Sequence, residues 1–171
     1  MKYKNRPPHL FIDKCYYFLT ARTLGGKNFF NNNEKKMILL NVIKCAADKY
    51  DVKLVAWVVL DNHYHLIIKF INSNKLIRFV TNIHVNSSRL LNKFDDTTGR
   101  KVWWNYWDRY IRDERDFWIH FNYIHHNPVK HRYARDSKDY QFSSYHYWLN
   151  KEGKEWLDSC FAEYPIVDYT S

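Results

Sequence analysis

The spacing of apolar residues divides the chain into short segments. Cys15 to Thr23 is rich in Tyr, Phe and Thr and reads as a strand, broken by Gly25-Gly26. Asn33 or a neighbour caps a helix from about Glu34 to Tyr50, with Met37, Leu40, Ile43, Cys45 and Ala47 at roughly helical spacing. Val52 to Leu60 is a near-continuous apolar run. Asp61-Asn62 is a turn signal, and His63 to Phe70 is the next strand, so the two runs form a hairpin. Asn74 to Phe94 reads as a second helix, with Ile77, Val80, Ile83 and Leu90 as its apolar positions. Val102 to Arg112 is aromatic and reads as a fourth strand. Asp113 caps a third helix from Glu114 to about His126, where Pro128 disfavours helix at the preceding Asn127. A short helix is expected from Ser143 to Leu149.

This order is an α+β class: a ferredoxin-like β-α-β-β-α-β antiparallel sheet with an added helix and a short C-terminal helical extension. Residues 1–171 read as one domain, with a palm at 14–112, a tyrosine helix at about 114–127 and the extension at about 136–171. The fold hosts many functions and does not choose one.

Composition narrows the choice. A formal charge of +9 with 19% aromatic residues points to a polyanion, nucleic acid being the commonest. Cys15, Cys45 and Cys160 are far apart, and no Cys-x-x-Cys pair occurs, so neither a zinc knuckle nor a disulfide framework is supported. The polar N-terminus carries no signal-peptide apolar region. The longest apolar run, Leu54 to Leu60, is too short to span a bilayer, so a cytoplasmic, nucleoid-associated protein is expected.

Chemistry enters with His63-Tyr64-His65. On a strand, His63 and His65 share a face and Tyr64 points the other way. Residues i and i+2 lie about 6.6 Å apart, close enough for two imidazoles to converge on one ion, although imidazole alone does not choose the metal. With nine histidines the spacing itself is cheap. Its position beside the core run Leu66-Ile67-Ile68 gives it meaning.

A second group lies in Phe117 to His126. Tyr123 and Asn127 are one helical turn apart on one face, and the Asn127 carbonyl can complete a hard-metal site begun by the histidines. His126 also shares that face and is an alternative ligand, whereas His125 points elsewhere. Beside an ion, the Tyr123 phenol can attack phosphorus and form a covalent phosphotyrosine. Such a link conserves the phosphodiester energy, so a DNA hydroxyl can reseal the strand.

These pieces together resemble the HUH single-tyrosine transposases, in particular the bacterial REP-associated tyrosine transposases of the IS200-like type. VVLDNHYHLIIK is similar to the family's hairpin, WWNYWDRYIRDERDF to its fourth strand and the start of its catalytic helix, YIHHNPVKH to its tyrosine segment and YQFSSYHYW to its C-terminal piece. The resemblance implies single-stranded DNA with hairpins as partner, Mg2+ or Mn2+ as cofactor, His63, His65 and Asn127 as metal ligands, and Tyr123 as nucleophile. It also implies action as a monomer, the wider family including dimers that exchange tyrosine helices. Two departures stand out. Arg132 replaces the Gly that often follows VKH, and Tyr64 is larger than the usual residue.

For DNA contacts, Trp103, Trp104, Tyr106, Trp107 and Tyr110 interleave with Arg109 and Arg112 as a stacking platform, about half of them expected in the core. Trp104, Arg109 and Arg112 are the chosen candidates. They are joined by Arg78, Arg89 and Lys93 on the second helix and by Lys130 and Arg132 past the third. Lys2, Lys4 and Arg6 form a basic arm. The alternatives are a hairpin-binding protein without chemistry and an RNA-binding module on the same fold, but the basic-Gly-aromatic motif of the latter is absent.

Overall fold

The computed structural model describes residues 16–70 and 75–168. The basic arm and the Cys15 and Asn74 segment ends expected from the sequence lie outside the described residues. The elements are β1 (Tyr16–Thr23), α1 (Asn33–Tyr50), β2 (Val52–Val59), β3 (His63–Phe70), α2 (Leu76–Phe94), β4 (Trp103–Tyr110), α3 (Glu114–Lys130), α4 (Tyr145–Glu152) and α5 (Lys154–Glu163). The strands form one antiparallel sheet in the order β2-β3-β1-β4, the expected ferredoxin-like arrangement.

Strand alternation separates the two layers. The β1/β3 pairs Tyr17/Ile68, Leu19/Leu66 and Ala21/Tyr64 share one face. Phe70 meets Phe79 of α2 edge-on at 6.0 Å, which puts α2, and α1 packed beside it, on that face. The pairs Phe18/Ile67, Thr20/His65 and Arg22/His63 share the other face, where α3 packs on β2 and β3.

In α1 the Asn32 side chain accepts from the Lys35 amide at 2.9 Å. Its buried stripe is Leu39, Leu40, Val42, Ile43, Ala46 and Ala47. Met37 and Cys45 are exposed, correcting their expected place on the apolar face. They fall beside the three-and-four spacing that a helix lays on a sheet.

Helix α3 corrects the expected end near His126. Asp113 caps it by accepting from the Asp116 amide at 2.8 Å, and it runs through Pro128 to Lys130. A proline inside a helix costs about 3 kcal/mol. Phe117, Trp118, Phe121 and Ile124 of the same helix are fully buried, each contributing about 1.5–3 kcal/mol, so packing outweighs the proline.

The C-terminal piece closes the far edge of β2. Val59 N–H donates to the Phe142 carbonyl, Ser144 N–H to that of Trp57 (both 2.9 Å), and the Trp148 indole to that of Val55 at 3.0 Å. The expected short helix becomes α4, and Gly153 (φ 88°) separates it from α5, which the sequence reading did not anticipate. Trp156, Leu157 and Cys160 anchor α5.

Candidate active site

His63 and His65 point to the α3 face with ring centroids 5.0 Å apart. From α3, Tyr123 and Asn127 come to the same place. The Tyr123 ring stands edge-on to His65 at 5.2 Å, and Asn127 Oδ1 lies 3.2 Å from His63 Nε2. The expected gathering of His63, His65, Tyr123 and Asn127 is therefore present, within one chain. Asn127 keeps its helical position despite Pro128 and is fully buried.

Each imidazole is held by a hydrogen bond at Nδ1, which leaves its Nε2 toward the site. The Asn62 amide donates to the Gly26 carbonyl at 3.0 Å, which turns Asn62 Oδ1 toward His63 Nδ1 at 2.6 Å. That oxygen accepts the Nδ1 proton. A neutral imidazole then has only a lone pair at Nε2, facing the Asn127 oxygen. His65 Nδ1 bonds Thr20 Oγ1 at 2.7 Å, and its Nε2 is buried with no hydrogen-bond partner. Lone pairs facing each other, beside an orphaned ring nitrogen, are costly unless a cation lies between them. The donor set fits a divalent metal. Among the described residues no three His, Cys, Asp or Glu side chains form a group that could hold an ion, and the oxygen beside His63 is the Asn127 amide, a hard donor type.

Electrostatics favour neutral ligands. Burial, with the nearby charges of His131, Arg22 and Lys130, lowers His63 from its ordinary 6.5 to about 4, against a raising contribution from Asn127. His65 is lowered by burial first and then by His63, His131, Lys130 and Arg22. Burial raises Tyr123 above its ordinary value, while Lys130 and the hydrogen bond to Asn127 pull it back. Lys130 Nζ stands 5.3 Å from the Tyr123 ring centroid and pairs with Asp168.

The other sequence candidates separate by location. His125 points away from the site, its Nε2 on Ser144 Oγ at 2.7 Å, and His126 is half-buried. Arg78, Arg89 and Lys93 are exposed on α2, in the layer across the sheet from the histidines, so they do not converge with Tyr123. Arg109 and Arg112 reach Asp116 at 3.5 and 3.6 Å, tying β4 to the start of α3. Trp104 is the unpaired residue of a β-bulge between the Thr23/Trp103 and Arg22/Asn105 pairs, and it is exposed. Of the five aromatics of this segment only Trp103 is buried, because β4 is an edge strand. Arg132 is exposed, with φ 61°.

Thr20, Arg22 and Asn62 complete the site and were not singled out from the sequence. The signal was present: Thr20 and Arg22 repeat on β1 the two-residue polar spacing of His63 and His65, and they pair with them in register.

The chain is similar to known proteins in sequence and in fold. The family model described as Transposase IS200 like matches residues 11–127, ending at Asn127. A Haemophilus influenzae protein named as a REP-associated tyrosine transposase is 30% identical over 144 residues, covering 72% of this chain and 82% of its own. The REP-associated tyrosine transposase of Escherichia coli K12 is 26% identical over 132 residues, 76% of each chain. A solved REP-associated tyrosine transposase bound to a REP hairpin shares the fold, with a TM-score of 0.67 at 20% identity, over 98% of this chain and 94% of that one. Among the described residues no helix is long and apolar enough to cross a membrane. With the family model spanning most of the chain and a histidine pair beside a tyrosine helix at its centre, this protein belongs to the IS200-like transposases.

Proposed function

We propose that the chain cuts and rejoins single-stranded DNA carrying REP-like hairpins through a 5'-phosphotyrosine on Tyr123, with Mg2+ or Mn2+ held by His63, His65 and Asn127. The observation that carries this reading is the convergence of the His63 and His65 ring nitrogens and the Asn127 oxygen beside the Tyr123 ring. The hairpin substrate is carried over from the relative solved with a REP hairpin. Chromosomal DNA as substrate places the work in the bacterial cytoplasm, at the nucleoid. The cis packing of α3 on its own sheet supports a monomer as the working unit.

When bound, the cation polarises the scissile phosphate and stabilises charge developing on it. Tyr123 supplies the nucleophile. Its oxygen bonds to phosphorus as the bond from phosphorus to the 3' oxygen breaks, and that oxygen leaves as a hydroxyl with the phenol's proton. Lys130, beside the ring, favours the phenolate that forms during attack. In the second step a DNA 3'-hydroxyl attacks the phosphotyrosine, the strand is resealed and the phenol regains its proton. Asn62 and Thr20 hold the two imidazoles at Nδ1 and so keep both Nε2 atoms turned into the site.

The test is a denaturing gel of the protein mixed with labelled REP-hairpin DNA and Mn2+ or Mg2+. The expected result is a covalent protein–DNA band that disappears with chelator and in Tyr123→Phe. Hairpin binding without a band supports the non-catalytic alternative, and a band surviving in Tyr123→Phe moves the nucleophile to another residue.

A further inference from the structure

On the face of the sheet that carries the site, α3 packs over β2 and β3, and the C-terminal piece closes the outer edge of β2. The β4 side is left open. The strand register draws two rows across this face: Trp107, Thr20 and His65 in one, Asn105, Arg22 and His63 in the next. Direct antiparallel partners point the same way, so Trp107 and Asn105 stand on the histidine face. Both are exposed, Trp107 at 48%. Two strand spacings put Trp107 about 10 Å from His65.

The Trp107 indole stands half in water on an edge strand. Among the described residues no aromatic ring packs against it, unlike Trp103, which stacks between Phe30 and His84. Its surroundings are cationic. Arg22 lies in the adjoining row, between Asn105 and the histidines, and its charge is felt by His63, His65 and His131. Arg109 is two residues along β4 on the same face. An exposed aromatic face beside guanidinium groups, continuous with a phosphate-cutting site, matches how single strands are held: bases stack while cations follow the backbone.

We infer that the open β4 side is the platform for the single-stranded DNA arm, with Trp107 stacking a base adjoining the cut and Arg22 holding the phosphate between that base and the histidine pair. This rests on the proposed nuclease reading and adds where the single strand lies. The bulged Trp104 is off both rows, so the stacking role expected from the aromatic segment falls to Trp107.

The test is fluorescence anisotropy with labelled REP hairpins, bare or carrying a single-stranded arm, in a Tyr123→Phe background that prevents covalent capture. The arm is expected to add affinity. Trp107→Ala loses about tenfold on the armed hairpin, with the bare hairpin unchanged, and Trp107→Phe keeps most of the gain. Arg22→Ala weakens the armed hairpin selectively and reduces the salt dependence of its binding. An arm that adds nothing, or a Trp107→Ala variant that binds both DNAs as the parent does, overturns the platform. The covalent-band assay reads the parent proposal separately. A band together with an unchanged Trp107→Ala affinity removes the platform alone. An arm-specific loss without any band removes the chemistry and leaves the platform.

Discussion

His63 Nε2 and Asn127 Oδ1 face each other across 3.2 Å, one from the start of a strand and the other from the last turn of a helix. The Asn62 bond at Nδ1 removes the proton that would join them. A cation at this place has both atoms as donors. Asn127→Ala is expected to lower Mn2+ affinity by at least the 10–100-fold typical of losing a partner behind a metal ligand, whereas His126→Ala leaves it unchanged. Calorimetric titration with Mn2+ checks this, and equal losses in both variants would return His126 to the ligand set.

Thr20 and Asn62 act through the histidines and are positioning residues. Thr20→Val preserves shape but removes the partner of His65 Nδ1, and Asn62→Ala frees His63 Nδ1. Each is expected to reduce Mn2+ affinity about 10–100-fold while the circular dichroism spectrum stays native. Thr20→Ser, which keeps the hydroxyl, restores most of the affinity. Unaltered Mn2+ binding in Thr20→Val would show that other contacts position the His65 ring.

Acid should destabilise the metal-free protein early. Burial lowers His63 to about 4 and His125 to about 3, while the unfolded chain takes up protons near 6.5. Between those values the unfolded state holds more protons, so stability falls as pH drops below 6.5 and is level above it with respect to these groups. For the buried His63 the loss by pH 4 is on the order of 3 kcal/mol. Melting temperature measured from pH 8 to 4 should be flat and then decline from about 6.5. A flat profile down to pH 5 would contradict the buried, neutral assignment.

Arg132 holds φ at 61°, where a side chain costs about 1 kcal/mol relative to glycine. This is the position where the family often has Gly. Arg132→Gly should raise the melting temperature by about 2–4 °C while weakening DNA binding through loss of a charge. Thermal unfolding and filter binding read the two effects. A variant with lower melting temperature would show that the arginine's contacts outweigh the backbone cost.

Much of this was readable in the sequence, for identifiable reasons. Strand β3 shows its start because the Asp61-Asn62 turn signal opens it, and its near-continuous apolar run marks a strand buried on both faces, so the His63/His65 pair inherits that clarity. The end of α3 was not readable. Local preference set Pro128 against helix, and the buried Phe117, Trp118, Phe121 and Ile124 that overrule it are tertiary partners. Trp104 and Trp107 look alike in sequence, and only the bulge at Arg22/Thr23 separates them. Thr20 was missed because its importance comes from its partner across the sheet.

In the proposed cleavage the Tyr123 oxygen is the nucleophile that becomes bonded to the 5' phosphate. Peptide mass spectrometry of protein incubated with a REP hairpin and Mn2+, after nuclease trimming of the DNA, tests it most directly. The predicted result is a 5'-nucleotide mass on the peptide containing Tyr123 and on no other tyrosine. A nucleotide found on a different residue, or cleaved DNA with no peptide modified, would contradict it.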